Sequence, residues 1–138
     1  MKRNLLLFLA ITGILISSYL FYAKLTSTPL YCGLGKGCDI VQNSKYSIFL
    51  GVPMGFWGML YYFVLFTLFY MEGQYGTSRK LKTLTKLAII WGLLFSIYLT
   101  ALEEFAIGAY CSWCVVSFVN IIFISAISLI NFREEKVK

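Results

Sequence analysis

Four long runs without a charged residue decide what this chain can fold into. Asn4–Ala23 covers 20 residues, Ile48–Met71 24, Leu87–Leu102 16 and Ala106–Phe132 27. A helix rises about 1.5 Å per residue, so roughly 20 apolar residues cross a ~30 Å hydrocarbon core. The third run reaches that length once Lys86 lies along it with its ammonium at the boundary. With 59% hydrophobic and 13% charged residues, the chain lacks the polar surface of a water-soluble domain, which carries about 25% charged residues. The expectation is an all-α integral membrane protein. It is a single domain over residues 1–138, a four-transmembrane-helix bundle with helices at about 4–24, 53–71, 80–104 and 110–131.

The net charge of +6 does not point to nucleic acid, because the basic residues are sorted by topology. Lys2, Arg3, Arg79, Lys80, Lys82, Lys86, Arg133, Lys136 and Lys138 fall on one side of a four-span chain, leaving only Lys24, Lys36 and Lys45 opposite. The positive-inside rule places both termini and the middle loop in the cytoplasm. The first run resembles a signal peptide in its basic start. It is longer than a typical apolar core, however, and Phe21-Tyr22-Ala23 is not a small-x-small cleavage site, so it reads as a retained helix. This topology puts all four cysteines near the outer face, the oxidising side of a membrane.

The first outer segment runs from Lys24 to about Ser47. It holds Cys32 and Cys38 with three glycines between them, a backbone free to close a small ring. Asp39–Leu50 is expected to form a short helix, with Asp39 or Ser44 as candidate caps. Pro53 suits the first residue of helix two. That helix is rich in aromatics, among them Phe56, Trp57, Tyr61 and Tyr62, most of them packing or lipid-facing and some able to line a site for a flat apolar ring. Glu103 and Glu104 meet the outer boundary at the end of helix three, where interfacial solvation is the expectation and proton transfer the alternative. The chain then turns at Gly108 directly into helix four. No phosphate-binding glycine motif, Ser/His/Asp set or internal repeat is present.

The chemistry-bearing stretch is Cys111-Ser112-Trp113-Cys114, a C-x-x-C at a helix start. Unpaired N–H groups and the macrodipole there favour thiolate over thiol. Two cysteine pairs could also make a zinc site of four thiolates. Against that, the spacer from Cys32 to Cys38 exceeds the usual two to four residues, and the chain has no histidine. The redox reading calls for an electron source outside the membrane and a sink within it. A thiol protein would meet Cys32 or Cys38. Exchange through mixed disulfides would carry electrons to Cys111 and Cys114, with Cys111 facing the loop and Cys114, one turn deeper, facing a lipid-soluble acceptor such as a quinone.

Three stretches resemble the vitamin K epoxide reductase family, in its small bacterial and archaeal members. They are Cys32-x5-Cys38 with Ser44 six residues on, Phe49-Leu50-Gly51-Val52-Pro53 against the family's F-G-I-P, and Leu102 to Cys114 against L-E-x-F-x-I-x-A-x-C-x-W-C. The resemblance implies four helices around a quinone, ubiquinone or menaquinone, with Cys114 nearest the ring, Cys111 its partner, and Cys32 and Cys38 the shuttle pair. The candidate contacts around the ring are then Ser44, Phe56, Trp113 and Phe118, Ser44 alternatively ordering the loop helix. It also implies an extracytoplasmic thioredoxin-like or DsbA-like partner and a role in disulfide formation. In animal members a tyrosine four residues after the last cysteine contacts the quinone. Here that position is Phe118, a departure that bears on epoxide chemistry rather than on quinone reduction. Many bacterial relatives carry a fused thioredoxin-like domain. None precedes Lys138, so the expected partner is a separate protein. Two rivals remain. A DsbB-type quinone reductase has its C-x-x-C in the first outer segment, the reverse of the order here. A small four-span transporter or structural protein with a stabilising disulfide would be favoured by intramembrane charges along a path, of which this sequence has essentially none.

Overall fold

Runs of leucine, isoleucine and phenylalanine become helices in hydrocarbon because every backbone N–H and C=O must be satisfied within its own segment. The computed structural model describes residues 2–27, 40, 43–45, 48–76, 78–108 and 111–137. Four helices in it are long and apolar enough to cross a membrane: α1 (Lys2–Thr26), α2 (Met54–Gln74), α3 (Arg79–Leu102) and α4 (Ser112–Val137). They form a membrane-type four-helix bundle, as the sequence implies. α2 runs through Gly73 and stops before Gly76, whose φ is +77°. Ser78 starts α3, its Oγ accepting the Leu81 N–H at 3.2 Å.

Lipid tails are as apolar as leucine, so helices in a bilayer are held by close backbone approach and hydrogen bonds rather than by a hydrophobic drive. α1 buries Leu6, Ala10, Gly13, Ser17 and Leu20, a stripe at spacings of three and four. At Gly55 an added Cβ would stand 2.7 Å from the backbone nitrogen of Phe21, so only glycine lets α1 and α2 come this close. Two polar ties add to the packing: Asn120 Nδ2 donates to the Leu9 carbonyl at 3.0 Å, and the hydroxyls of Tyr62 and Ser117 are 2.9 Å apart. The central core gathers Leu6, Tyr62, Leu65, Phe69, Ile89, Ile121 and Ile124. A second cluster, toward the end that carries the cysteines, joins Ile16, Leu20 and Ala23 of α1 to Cys111. α3 is the least embedded helix: among its described residues only Thr85, Ile89 and Gly92 are buried. Its Leu87, Ile90, Trp91 and Leu94 are exposed, as suits a helix solvated by lipid.

The approach to α2 departs from expectation. Ile40 and Asn43 are helical, while Asp39, Val41, Gln42, Tyr46 and Ser47 lie outside the described residues. Ile48–Leu50, expected as the end of a short helix, is strand and turn: β1 (Ile48–Phe49) pairs antiparallel with β2 (Val52–Pro53). Leu50 and Gly51 both take positive φ, 53° and 79°, the conformation a two-residue hairpin turn requires. The Trp57 indole N–H donates to the Phe49 carbonyl at 3.1 Å and ties the hairpin onto α2. Pro53 is therefore a strand residue with φ −57° and ψ 144°, standing one position before the helix rather than opening it.

At one end of the bundle Lys2 pairs with Glu134 and Arg3 donates to the Gly73 carbonyl at 3.3 Å. The hairpin, the end of α3 and the start of α4 occupy the other end.

Candidate dithiol site and membrane cavity

The local sequence explains how the C-x-x-C is presented. After Leu102 the helix widens into a π-type turn over Glu103–Ile107, closed by the Gly108 N–H donating to the Glu103 carbonyl at 2.8 Å. Gly108 has φ +73° and ψ 19°, the left-handed cap that glycine adopts without a Cβ penalty. The chain re-enters a helix at Ser112. Cys111 stands at the cap position, its carbonyl taking the Val115 N–H at 3.0 Å.

Its sulfur occupies the place of a capping oxygen. It accepts from the Cys114 thiol and from the backbone N–H groups of Cys114 and Trp113. Those hydrogen bonds, led by the one from Cys114, lower the Cys111 thiol below the ordinary cysteine value. Burial and the Glu103 charge act in the opposite direction and do not prevail. Cys111 is fully buried against α1, whereas Cys114 keeps part of its surface open, and both are free thiols.

Glu103 overturns an expectation. Its side chain is 5% exposed, not solvated at an interface. The carboxylate accepts hydrogen bonds from the Cys114 thiol and from the Cys111 backbone N–H. Glu103 still donates its backbone N–H to the Leu99 carbonyl, so α3 carries it onto the packed face, while Glu104, about 100° round the helix, stays exposed. The signal available in the sequence was the glutamate eight residues before the first cysteine of the pair.

Beneath the pair lies a cavity of about 490 Å³ between α2 and α3. Among the described residues its walls are mainly Met54, Trp57, Tyr61 and Tyr62 of α2 and Trp91, Gly92, Phe95, Ser96 and Leu99 of α3, with Phe49 of the hairpin and Ser117 of α4. Ser117 is three residues after Cys114 and Leu99 is four before Glu103. On a helix those spacings put side chains about 5–6 Å apart on one face, so the head of the cavity lies one turn from both Cys114 and Glu103. The Tyr61 hydroxyl is engaged with the Ala88 carbonyl at 2.9 Å. The Tyr62–Ser117 hydroxyl pair stands in the cavity wall.

The sequence model of the vitamin K epoxide reductase family matches residues 4–129, nearly the whole chain. The chain belongs to that family. Thiol-disulfide oxidoreductase LTO1 of Arabidopsis thaliana is 30% identical to it over 108 residues, 73% of this chain. The matched region is 29% of the length of LTO1, so the chain is similar to about a third of that protein.

In this vitamin K epoxide reductase family member the residues expected at the site are distributed as follows. Cys111 and Cys114 are together at the start of α4. Cys32 and Cys38 lie outside the described residues. Ser44 is half-buried in the described fragment 43–45. Phe56 faces α1, its ring 5.8 Å from that of Phe21. Trp113 packs on Tyr19 at 5.2 Å, and Phe118 packs against the central core. These four do not line the cavity. Its walls come instead from Trp57, Trp91, Phe95 and the tyrosine pair, which no feature of the sequence marked out from the other aromatics.

Proposed function

We propose that this protein is a membrane thiol–disulfide oxidoreductase. It takes electrons from an extracytoplasmic thioredoxin-like or DsbA-like protein and delivers them to a membrane quinone, ubiquinone or menaquinone. In doing so it supports disulfide formation in proteins outside the cytoplasm. The observation that carries this reading is a helix-capping dithiol on the helix that, three residues after Cys114, contributes Ser117 to the wall of an aromatic cavity. The family and the name of the Arabidopsis relative agree with it.

In this reading Cys32 and Cys38 exchange with the partner. One of them then attacks Cys111 in the Cys111–Cys114 disulfide, and Cys114 leaves with the electron pair. The lowered Cys111 thiol suits a sulfur that must spend part of each cycle as a thiolate. Cys114, on the face that leads to Ser117, is the thiol that addresses the cavity.

The cavity fits a quinone head group on its own features. Its volume of about 490 Å³ falls within the roughly 300–1,000 Å³ of small-molecule sites. Trp57, Trp91 and Phe95 offer flat apolar walls, and Tyr62 with Ser117 supplies hydroxyls able to orient a carbonyl. When bound there, a quinone supplies an acceptor for two electrons and two protons. Phe56, Trp113 and Phe118 stand next in sequence to Trp57, Cys114 and Ser117 and would shape the site from behind, with Ser44 contributing from the outer segment.

The segregation of nine basic residues supports an orientation with the dithiol at the extracytoplasmic end of a multi-pass cell-membrane protein. The Lys2–Glu134 pair then lies at the cytoplasmic end. The test is purified protein with a reduced DsbA-like protein and a soluble quinone analogue, following partner thiols and quinol together. Loss of both signals in Cys114→Ala is expected. Unchanged rates in that variant would overturn the proposal.

A further inference from the structure

A carboxylate buried at the edge of a membrane is costly to keep and calls for a partner that repays it. Glu103 is buried, and its side chain is in hydrogen-bond contact with the Cys114 thiol. Cys111 has three hydrogen-bond donors to support a thiolate: the Cys114 thiol and the backbone N–H groups of Trp113 and Cys114. Among the described residues Cys114 has two acceptors for its single S–H proton, Cys111 and Glu103. When a disulfide closes between the two sulfurs, the Cys114 proton must go somewhere. The Cys111 sulfur cannot keep it, because that sulfur becomes part of the new bond. Among the described residues the Glu103 carboxylate is the remaining acceptor in contact.

We infer that Glu103 is a catalytic residue that takes the proton from the Cys114 thiol as the Cys111–Cys114 disulfide forms and returns it when the disulfide is reduced. In the forward step, with an external disulfide as oxidant, Cys111 thiolate displaces one thiolate of the oxidant and holds the other half as a mixed disulfide. Cys114 gives its proton to Glu103, attacks the Cys111 sulfur and closes the S–S bond. The second thiolate of the oxidant departs with the electron pair, and Glu103 ends as the carboxylic acid. In the reverse step an incoming thiolate bonds to Cys111, Cys114 leaves as thiolate, and Glu103 protonates it. Glu103 also receives the Cys111 backbone N–H, which anchors the start of α4. Anchoring alone needs only an oxygen acceptor, and a glutamine would provide one.

The inference rests on the dithiol reading of Cys111 and Cys114 and is independent of the quinone. The experiment uses the full chain with Cys32→Ala and Cys38→Ala, reduced in detergent and oxidised by a soluble aromatic disulfide, 4,4′-dithiodipyridine. Oxidised-minus-reduced infrared spectra should gain the carbonyl stretch of a protonated carboxylic acid and lose the S–H stretch. The carboxyl band should vanish in Glu103→Gln and shift in Glu103→Asp, and the Asp variant decides the assignment if the Gln variant does not fold. Closure of the disulfide should slow about 100-fold in Glu103→Gln, the scale of a lost general base, and recover in large part in Glu103→Asp. Closure without a carboxyl band, or a Gln variant that closes within twofold of the parent rate, overturns the inference. A protein that passes this test yet never reduces a quinone refutes the proposed acceptor alone.

Discussion

The backbone-to-backbone approach of α1 and α2 at Gly55 gives the sharpest structural prediction. An alanine methyl at position 55 would stand 2.7 Å from the Phe21 nitrogen, 2.9 Å from its Cα and 3.1 Å from its Cβ. Two of these atoms are backbone and cannot rotate away. Carbon packs at about 3.5–4.0 Å, so Gly55→Ala forces α1 and α2 apart by roughly 0.5–1 Å, a gap that forfeits a quarter to a half of each affected contact. Overpacking of this kind costs about 1–3 kcal/mol. The damage should reach the dithiol, because the α1 residues Ile16, Leu20 and Ala23 are the wall against which Cys111 is buried. Gly73→Ala is the matched control: the atoms its methyl would meet belong to the side chain of Arg3, which is long and can swing aside. The assay is thermal unfolding in detergent, read by a fluorogenic maleimide on protein retaining only Cys111. Gly55→Ala should melt earlier and label faster below the transition, with Gly73→Ala close to the parent. A Gly55→Ala protein with parental melting and parental labelling would refute the packing argument.

Two further outcomes follow from the site. The Cys111 thiol is lowered by hydrogen bonds from Cys114 and the backbone, so its thiolate persists below the midpoint of about 8.5 for a free cysteine. Alkylation of Cys111 measured against pH should lose rate only as pH falls through that lowered midpoint, and a midpoint at or above the free value contradicts the capping geometry. Tyr62→Phe removes the hydroxyl 2.9 Å from Ser117 Oγ. It should cost about 0.5–1.5 kcal/mol of stability and raise the apparent KM for a quinone analogue several-fold, leaving thiol exchange with the protein partner unchanged. Equal loss in both half-reactions would show that the pair serves the fold and not the cavity.

What the sequence made legible is what depends on a one-dimensional pattern. The lengths of the uncharged runs set four helices, and Gly108 followed by Cys111 set a turn leading into a helix with a dithiol at its start. The placement of Phe56 and Trp57 was not legible. Neighbours on a helix point about 100° apart, and one faces α1 while the other lines the cavity. In a soluble helix a polar face would have told them apart, but α2 is apolar all round because lipid solvates its outer side. Glu103 was misread for a related reason. A glutamate at the end of a spanning helix is ordinarily solvated, and what holds this one inward is its contact with the Cys114 thiol and the Cys111 backbone N–H, which come from the next helix. Leu50 at φ 53° is a further case. A leucine in left-handed conformation is set by the hairpin and by the tie between Trp57 and Phe49, neither of which has a local signature.

The central claim is that the Cys111–Cys114 pair passes its electrons directly to a quinone. A single-turnover measurement tests it without any partner protein. Reduced chain with Cys32→Ala and Cys38→Ala is mixed with a soluble quinone analogue, quinol is followed optically, and the quenched protein is mapped by mass spectrometry. The account predicts one Cys111–Cys114 disulfide for each quinol formed. No quinol, or quinol without that disulfide, would contradict it.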